Sequence, residues 1–136
     1  MDNTSLVALA LAGALHGAST HAAEPTPATA VIDPGLDRLT MINILRPSEA
    51  DQDEVVRLLR SGLEEVMSKQ PGFIDASVHR SADNEYVVVY AHWDDIESLR
   101  AAGAVVMSGG APDMANAYRL GQADYHPYVV EAVITP

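Results

Sequence analysis

From residue 36 to residue 136 the hydrophobic period of the chain changes several times, and each change marks an element. Leu39, Met41, Asn43 and Leu45 alternate with Thr40, Ile42, Ile44 and Arg46, a period of two that predicts a strand over 39–46. One of its faces is apolar apart from Asn43. Pro47 stops the strand, and Ser48 is placed to cap a helix whose first turns hold Glu49, Asp51, Asp53 and Glu54, where the helix dipole favours anions. Val55, Val56, Leu59, Leu63, Val66 and Met67 then recur at three- and four-residue steps, one buried stripe, until Lys69 and Pro71-Gly72 close the helix. Phe73 to Arg80 reads as a second strand. Ser81-Ala-Asp-Asn-Glu supplies turn chemistry, and Tyr86 to Trp93, rich in β-branched and aromatic residues, completes a hairpin. Asp94 or Asp95 caps a second helix that turns Ile96, Leu99 and Ala102 inward, with Gly103, Gly109 and Gly110 expected to break or loosen the stretch after it. A short helix from Pro112 to about Leu120 precedes a last strand, Tyr125 to Ile134, which Pro127 should confine to an edge or a bulge.

The order β-α-β-β-α-β predicts an α+β, ferredoxin-like domain: a four-stranded antiparallel sheet with its helices on one face. The uncovered face must bury its apolar positions somehow, and a second copy of the sheet is the simplest cover, so a homodimer is expected. Strand parity also sorts the third strand. Val87, Val89, Ala91 and Trp93 share one face; Val88, Tyr90 and His92 share the other, which points His92 toward the partner.

Composition removes several function classes. Eight Lys and Arg against nineteen Asp and Glu give a formal charge of −11, which repels phosphate backbones and anionic bilayers alike, so neither nucleic acid nor membrane is an expected partner. Without cysteine there is no disulfide, thiolate nucleophile or Cys-based metal site. The histidines are scattered, with no metal-ligand spacing, and no P-loop or nucleophilic-serine motif is present. Residues 1–35 stand apart. They hold no Lys or Arg, and the apolar run Leu6–Leu15 is followed by small residues and a Pro-containing polar stretch. That outline suits a signal peptide cut near Ala22 or Ala23, but the positive charge that opens such a signal is missing. The segment is therefore read as an N-terminal extension of a cytoplasmic protein, with secretion or periplasmic export as the alternative, and the domain itself as 36–136.

Gln70-Pro-Gly-Phe-Ile, Val78-His-Arg-Ser and Val88-Val-Tyr-Ala-His-Trp-Asp94 together resemble the antibiotic biosynthesis monooxygenase family across roughly residues 37–134. The resemblance implies a dimeric α+β barrel with a small-molecule pocket between sheet and helices in each subunit. It also implies an activity: members similar to this chain oxidise anthrones or quinols with O₂ and need no flavin, haem or metal, so no cofactor is expected. His79 matches a histidine of the anthrone-oxidising group and is the expected general base, imidazole being the side chain that titrates near neutrality. The pocket amide found ten residues later in that group is replaced here by Val89. Asn43 could supply a substitute from the neighbouring strand, since an amide buried without partners costs about 1–3 kcal/mol and should be paired or awaiting a ligand. Trp93 would hold the aromatic ring, with Val89, Ala91, Leu99, Tyr118 and His126 lining the pocket. Haem-degrading relatives carry residues matching Asn43 and Trp93, but their axial histidine would fall near Gly103, where no imidazole exists. The alternative to oxidation is a non-oxidative small-molecule-binding or cyclase-like module of the same fold. For each residue there is also a plain structural reading: Trp93 as core, His79 as a half-solvated hairpin histidine.

Overall fold

A computed structural model describes residues 27–136 of the chain. The leader-like run lies outside the described residues. Four strands, β1 (Leu39–Leu45), β2 (Phe73–Arg80), β3 (Val87–Trp93) and β4 (Asp124–Tyr128), form one antiparallel sheet in the order β2-β3-β1-β4. Three helices accompany it: α1 (Gln52–Glu65), α2 (Ile96–Met107) and α3 (Pro112–Gly121). This is the expected ferredoxin-like α+β arrangement. None of the helices is long and apolar enough to cross a membrane.

The core fills the space between one sheet face and the helices. Met41 and Leu45 of β1, Val87, Val89, Ala91 and Trp93 of β3, Val55, Leu58 and Leu59 of α1, and Met114 and Ala117 of α3 are all buried there. Two glycines set the helix positions. A Cβ on Gly62 would collide with Cγ of Met114, and one on Gly121 would stand 2.6 Å from Cδ2 of Leu45. The absent side chains let α3 lie close on α1 and bring its C-terminal end down onto β1.

Local expectations are met unevenly. Asp95 caps α2 by accepting from the Ser98 backbone N–H at 2.7 Å. Gly103 does not break that helix, because its site faces open space and a solvent-side glycine costs a helix only about 1 kcal/mol; the helix ends instead before Gly109, whose φ is +88°. The last strand is far shorter than 125–134. Its partner β1 begins at Leu39, and Tyr128 already pairs with Thr40, so the residues beyond Val129 run past the end of the one strand beside them among the described residues. Pro127 does sit on an edge strand.

One irregularity decides where the polar residues of β2 point. Phe73 pairs with Trp93, but Asp75 pairs with His92, leaving Ile74 as an extra residue in β2. Plain alternation from Phe73 would carry Asp75, Ser77 and His79 onto the helix-covered face. The bulge reverses the parity. Phe73, Ala76 and Val78 pack on the core, while Asp75, Ser77 and His79 oppose His92, Tyr90 and Val88 on the other side. The apolar spacing explains the bulge: Phe73 and Ala76 are three apart and can share a face only if one residue is looped out.

A candidate active site on the helix-covered face

Asn43 lies at the centre of β1, paired with Val89 of β3 on one side and Tyr125 of β4 on the other. Its parity puts it among Met41 and Leu45 on the core side. The side chain is 1% exposed, and its Oδ1 has no hydrogen-bond partner. Above it stands Tyr118. On α3, Met114, Ala117, Tyr118 and Gly121 fall on one stripe, and Gly121 rests on Leu45, two residues from Asn43. The Tyr118 ring is partly buried and packed on the core, and its phenol reaches the Asn43 amide. Burial pushes that phenol up to about 12, an effect the Asn43 amide offsets only in part, and proximity to Tyr125 adds to it. Tyr118 is thus held as a neutral O–H donor at any ordinary pH.

Trp93 ends β3 on the same face, 2% exposed, with Phe73 edge-on at 5.3 Å and 88°. Its indole Nε1 is also buried without a partner. Trp93 pairs with Leu39, four positions along β1 from Asn43, a Cα separation of about 13 Å at the ordinary strand rise. Ala91, Val89 and Met41 floor the interval and are all buried, and Leu99 of α2 packs against the same core. A group touching both amide and indole would be a fused ring system rather than a single ring. Gln52, the first residue of α1, is a second buried amide, 4% exposed with both polar atoms unpartnered. It is easily missed in the sequence as part of the acidic helix start, although it lies three residues before Val55 on the buried stripe.

The structure does not bring His79 to this site. The bulge at Ile74 turns it to the opposite face, where it is exposed and its Nε2 lies 2.8 Å from Ser77 Oγ. His126 is likewise displaced: it pairs with Ile42, whose parity is opposite to Asn43, and it meets Asp124 at 3.3 Å in solvent. The β4 residue on the Asn43 side is Tyr125. His92 also lies on the far face as parity predicts, but it is 2% exposed within one chain, with Nδ1 2.7 Å from Asp75 Oδ1 and Tyr90 edge-on at 5.1 Å. All three histidines among the described residues therefore belong to the face away from Asn43 and Trp93. Among these residues no three His, Asp or Glu side chains are grouped to hold a metal.

The family profile for antibiotic biosynthesis monooxygenases matches residues 38–104. Tetracenomycin-F1 monooxygenase of Streptomyces glaucescens is 35% identical over 75 residues, which are 55% of this chain and 67% of that protein. Among solved structures, a monooxygenase from the gene ActVA-Orf6 of Streptomyces coelicolor, in complex with nanaomycin D, is 26% identical with a TM-score of 0.59, over 76% of this chain and 96% of that one. SnoaB, a cofactor-independent oxygenase from Streptomyces nogalater, superposes with a TM-score of 0.63 at 22% identity, over 74% of this chain and all of that one, and shares the fold. With its sheet order, its buried strand-end indole and this pattern of likeness, the chain belongs to the antibiotic biosynthesis monooxygenase family.

Proposed function

We propose that the protein is a cofactor-independent monooxygenase that oxidises a small electron-rich aromatic, of anthrone, naphthol or quinol type, with O₂. The likeness to tetracenomycin-F1 monooxygenase supports the reaction class. The observation that carries the site is the pair of buried, unpartnered polar groups, Asn43 Oδ1 and Trp93 Nε1, on an otherwise apolar face. Such groups cost stability unless something completes them.

In this reading an acidic C–H or O–H of the substrate loses its proton, and the anion lies on the apolar floor of Ala91 and Val89 against Trp93. Tyr118 and the Asn43 amide hold the polar end of the substrate by hydrogen bonds, which fixes its ring in place for reaction. The anion transfers one electron to O₂, and the two radicals combine at a ring carbon to a peroxide. That peroxide takes up the proton released at the start. It then loses water, its outer oxygen leaving with the hydrogen that carbon still carries, to give a quinone. One O₂ is consumed, one oxygen atom stays on carbon and the other leaves as water. The residues hold and orient the substrate, so the scheme calls on no cofactor. His79 lies on the other face, so in this reading the proton passes to solvent base. The face that carries Thr40, Ile42 and Ile44 is read as the pairing surface of a homodimer, Ile44 being 38% exposed there.

Oxygen uptake by metal-free protein with dithranol or 1,4-naphthohydroquinone tests the reading. Consumption above the spontaneous rate is expected, with one O₂ per quinone, one oxygen atom retained in the product and no hydrogen peroxide released, and with a loss of about 100-fold in Asn43→Leu. Uptake no faster than the spontaneous rate for either compound overturns it. In that event a second reading takes over, a non-oxidative binding or cyclase-like module, which Val89 at the position of the family's pocket amide favours.

A further inference from the structure

The structure assigns a joint role to Asn43 and Tyr118, that of clamping a single aromatic hydroxyl of the substrate in its protonated form. The inference rests on the oxygenase reading for the ring and on geometry for the hydroxyl. Asn43 Oδ1 is an acceptor with nothing donating to it. The Tyr118 phenol, beside the same amide, keeps its proton because burial raises it so far. A group that satisfies both must donate one hydrogen bond and accept another at one atom. A phenolic O–H does this; a methyl ether can only accept, and a bare ring can do neither. Tyr125, register partner of Asn43 on the edge strand, is 60% exposed, so the clamp lies one strand in from solvent.

The consequence is a narrower substrate class. Within the anthrone, naphthol and quinol range, the clamp selects molecules with a free ring hydroxyl about one fused-ring length from the edge that meets Trp93. An unhydroxylated anthrone in its keto form would leave Asn43 Oδ1 as unpartnered as it is in the protein alone. Tyr118 is then a specificity-determining residue supplied by α3, beyond the family-matched residues 38–104.

Calorimetric titration of the full chain without O₂, using 1-naphthol and 1-methoxynaphthalene as probes, tests the clamp. The wild-type protein is expected to bind the naphthol about ten-fold more tightly than its ether. Tyr118→Phe removes one oxygen and should cut that preference to about three-fold; Asn43→Leu should abolish it while the ether binds as before. Circular dichroism establishes that both variants are folded, and Tyr118→Phe carries the test alone should Asn43→Leu fail to fold. Equal binding of the two probes by wild type, failure to bind 1-naphthol at all, or a preference unchanged in Tyr118→Phe overturns the clamp. Oxygen uptake separates this from the oxygenase reading: a hydroxyl preference without O₂ consumption removes the oxygenase and keeps the clamp. Consumption with no hydroxyl preference does the reverse.

Discussion

The two faces of one sheet treat their polar groups in opposite ways. On the far face the polar side chains are largely paired with each other: His92 with Asp75, His79 with Ser77, His126 with Asp124. Thr40 Oγ1 is a buried exception. On the helix-covered face, where a lone polar atom costs most, Asn43 Oδ1 and Trp93 Nε1 are left open and Tyr118 is kept neutral. Imidazoles look like chemistry and amides look like structure, yet here the imidazoles have satisfied local partners and the amide does not. Satisfaction of hydrogen-bonding capacity, more than residue type, separates the face that holds itself together from the face prepared for a ligand.

That contrast can be broken most forcefully at Trp93. Replacement by alanine removes the largest side chain of the covered face, and urea denaturation should show a loss of about 3–5 kcal/mol; a loss below about 1 kcal/mol would mean that the indole is not part of the core. On the other face, Asp75→Ala strips the buried His92 of its carboxylate. A stability loss of about 1–3 kcal/mol with O₂ uptake within two-fold of wild type is expected, and a collapse of turnover with stability intact would move the active face to that side. A third test uses pH. Tyr118 loses its proton at about 12 in the folded chain against about 10 when unfolded. The raised value favours the neutral form in the fold, so its effect is constant below pH 10. Between about 10 and about 12 the unfolded state sheds the proton first, and folding weakens by up to ten-fold per pH unit. Above 12 the fall from this group stops. In denaturation experiments Tyr118→Phe should remove that part of the alkaline decline; identical profiles for the two proteins would show that the phenol is not desolvated. The smallest effect belongs to His79→Ala, expected to shift the melting temperature by no more than about 2 °C and turnover by no more than two-fold. A 100-fold drop in turnover would return the imidazole to catalysis.

Most of the fold can be read from periodicity, because β1, α1 and β3 have clean two- and 3.6-residue patterns that burial alone explains. The same arithmetic places Asn43 and Trp93 on one side. It fails for His79, whose side depends on a single looped-out residue. Parity counted along β2 from Phe73 is right for one residue and wrong for the next six. The trace of the bulge is present in the spacing of Phe73, Ala76 and Val78, apolar at an interval that no regular strand can bury on one side. The short β4 is hidden for a different reason: its length is set by where β1 begins, a property of the partner strand rather than of its own residues. Tyr118 can be seen as a pocket candidate, but its meeting with Asn43 depends on Gly121 resting on Leu45, a tertiary contact with no local pattern.

The chain has one tryptophan, and it is the buried indole with an unpaired N–H that faces Phe73. Ultraviolet excitation of the native protein therefore interrogates one location. Without a guest its emission should be blue, as befits a dry setting. An aromatic molecule reaching that wall would quench or shift the light from the very group it touches, so occupancy could be followed in real time without a label. The same colour, moving toward red, would announce that the sheet has let water in.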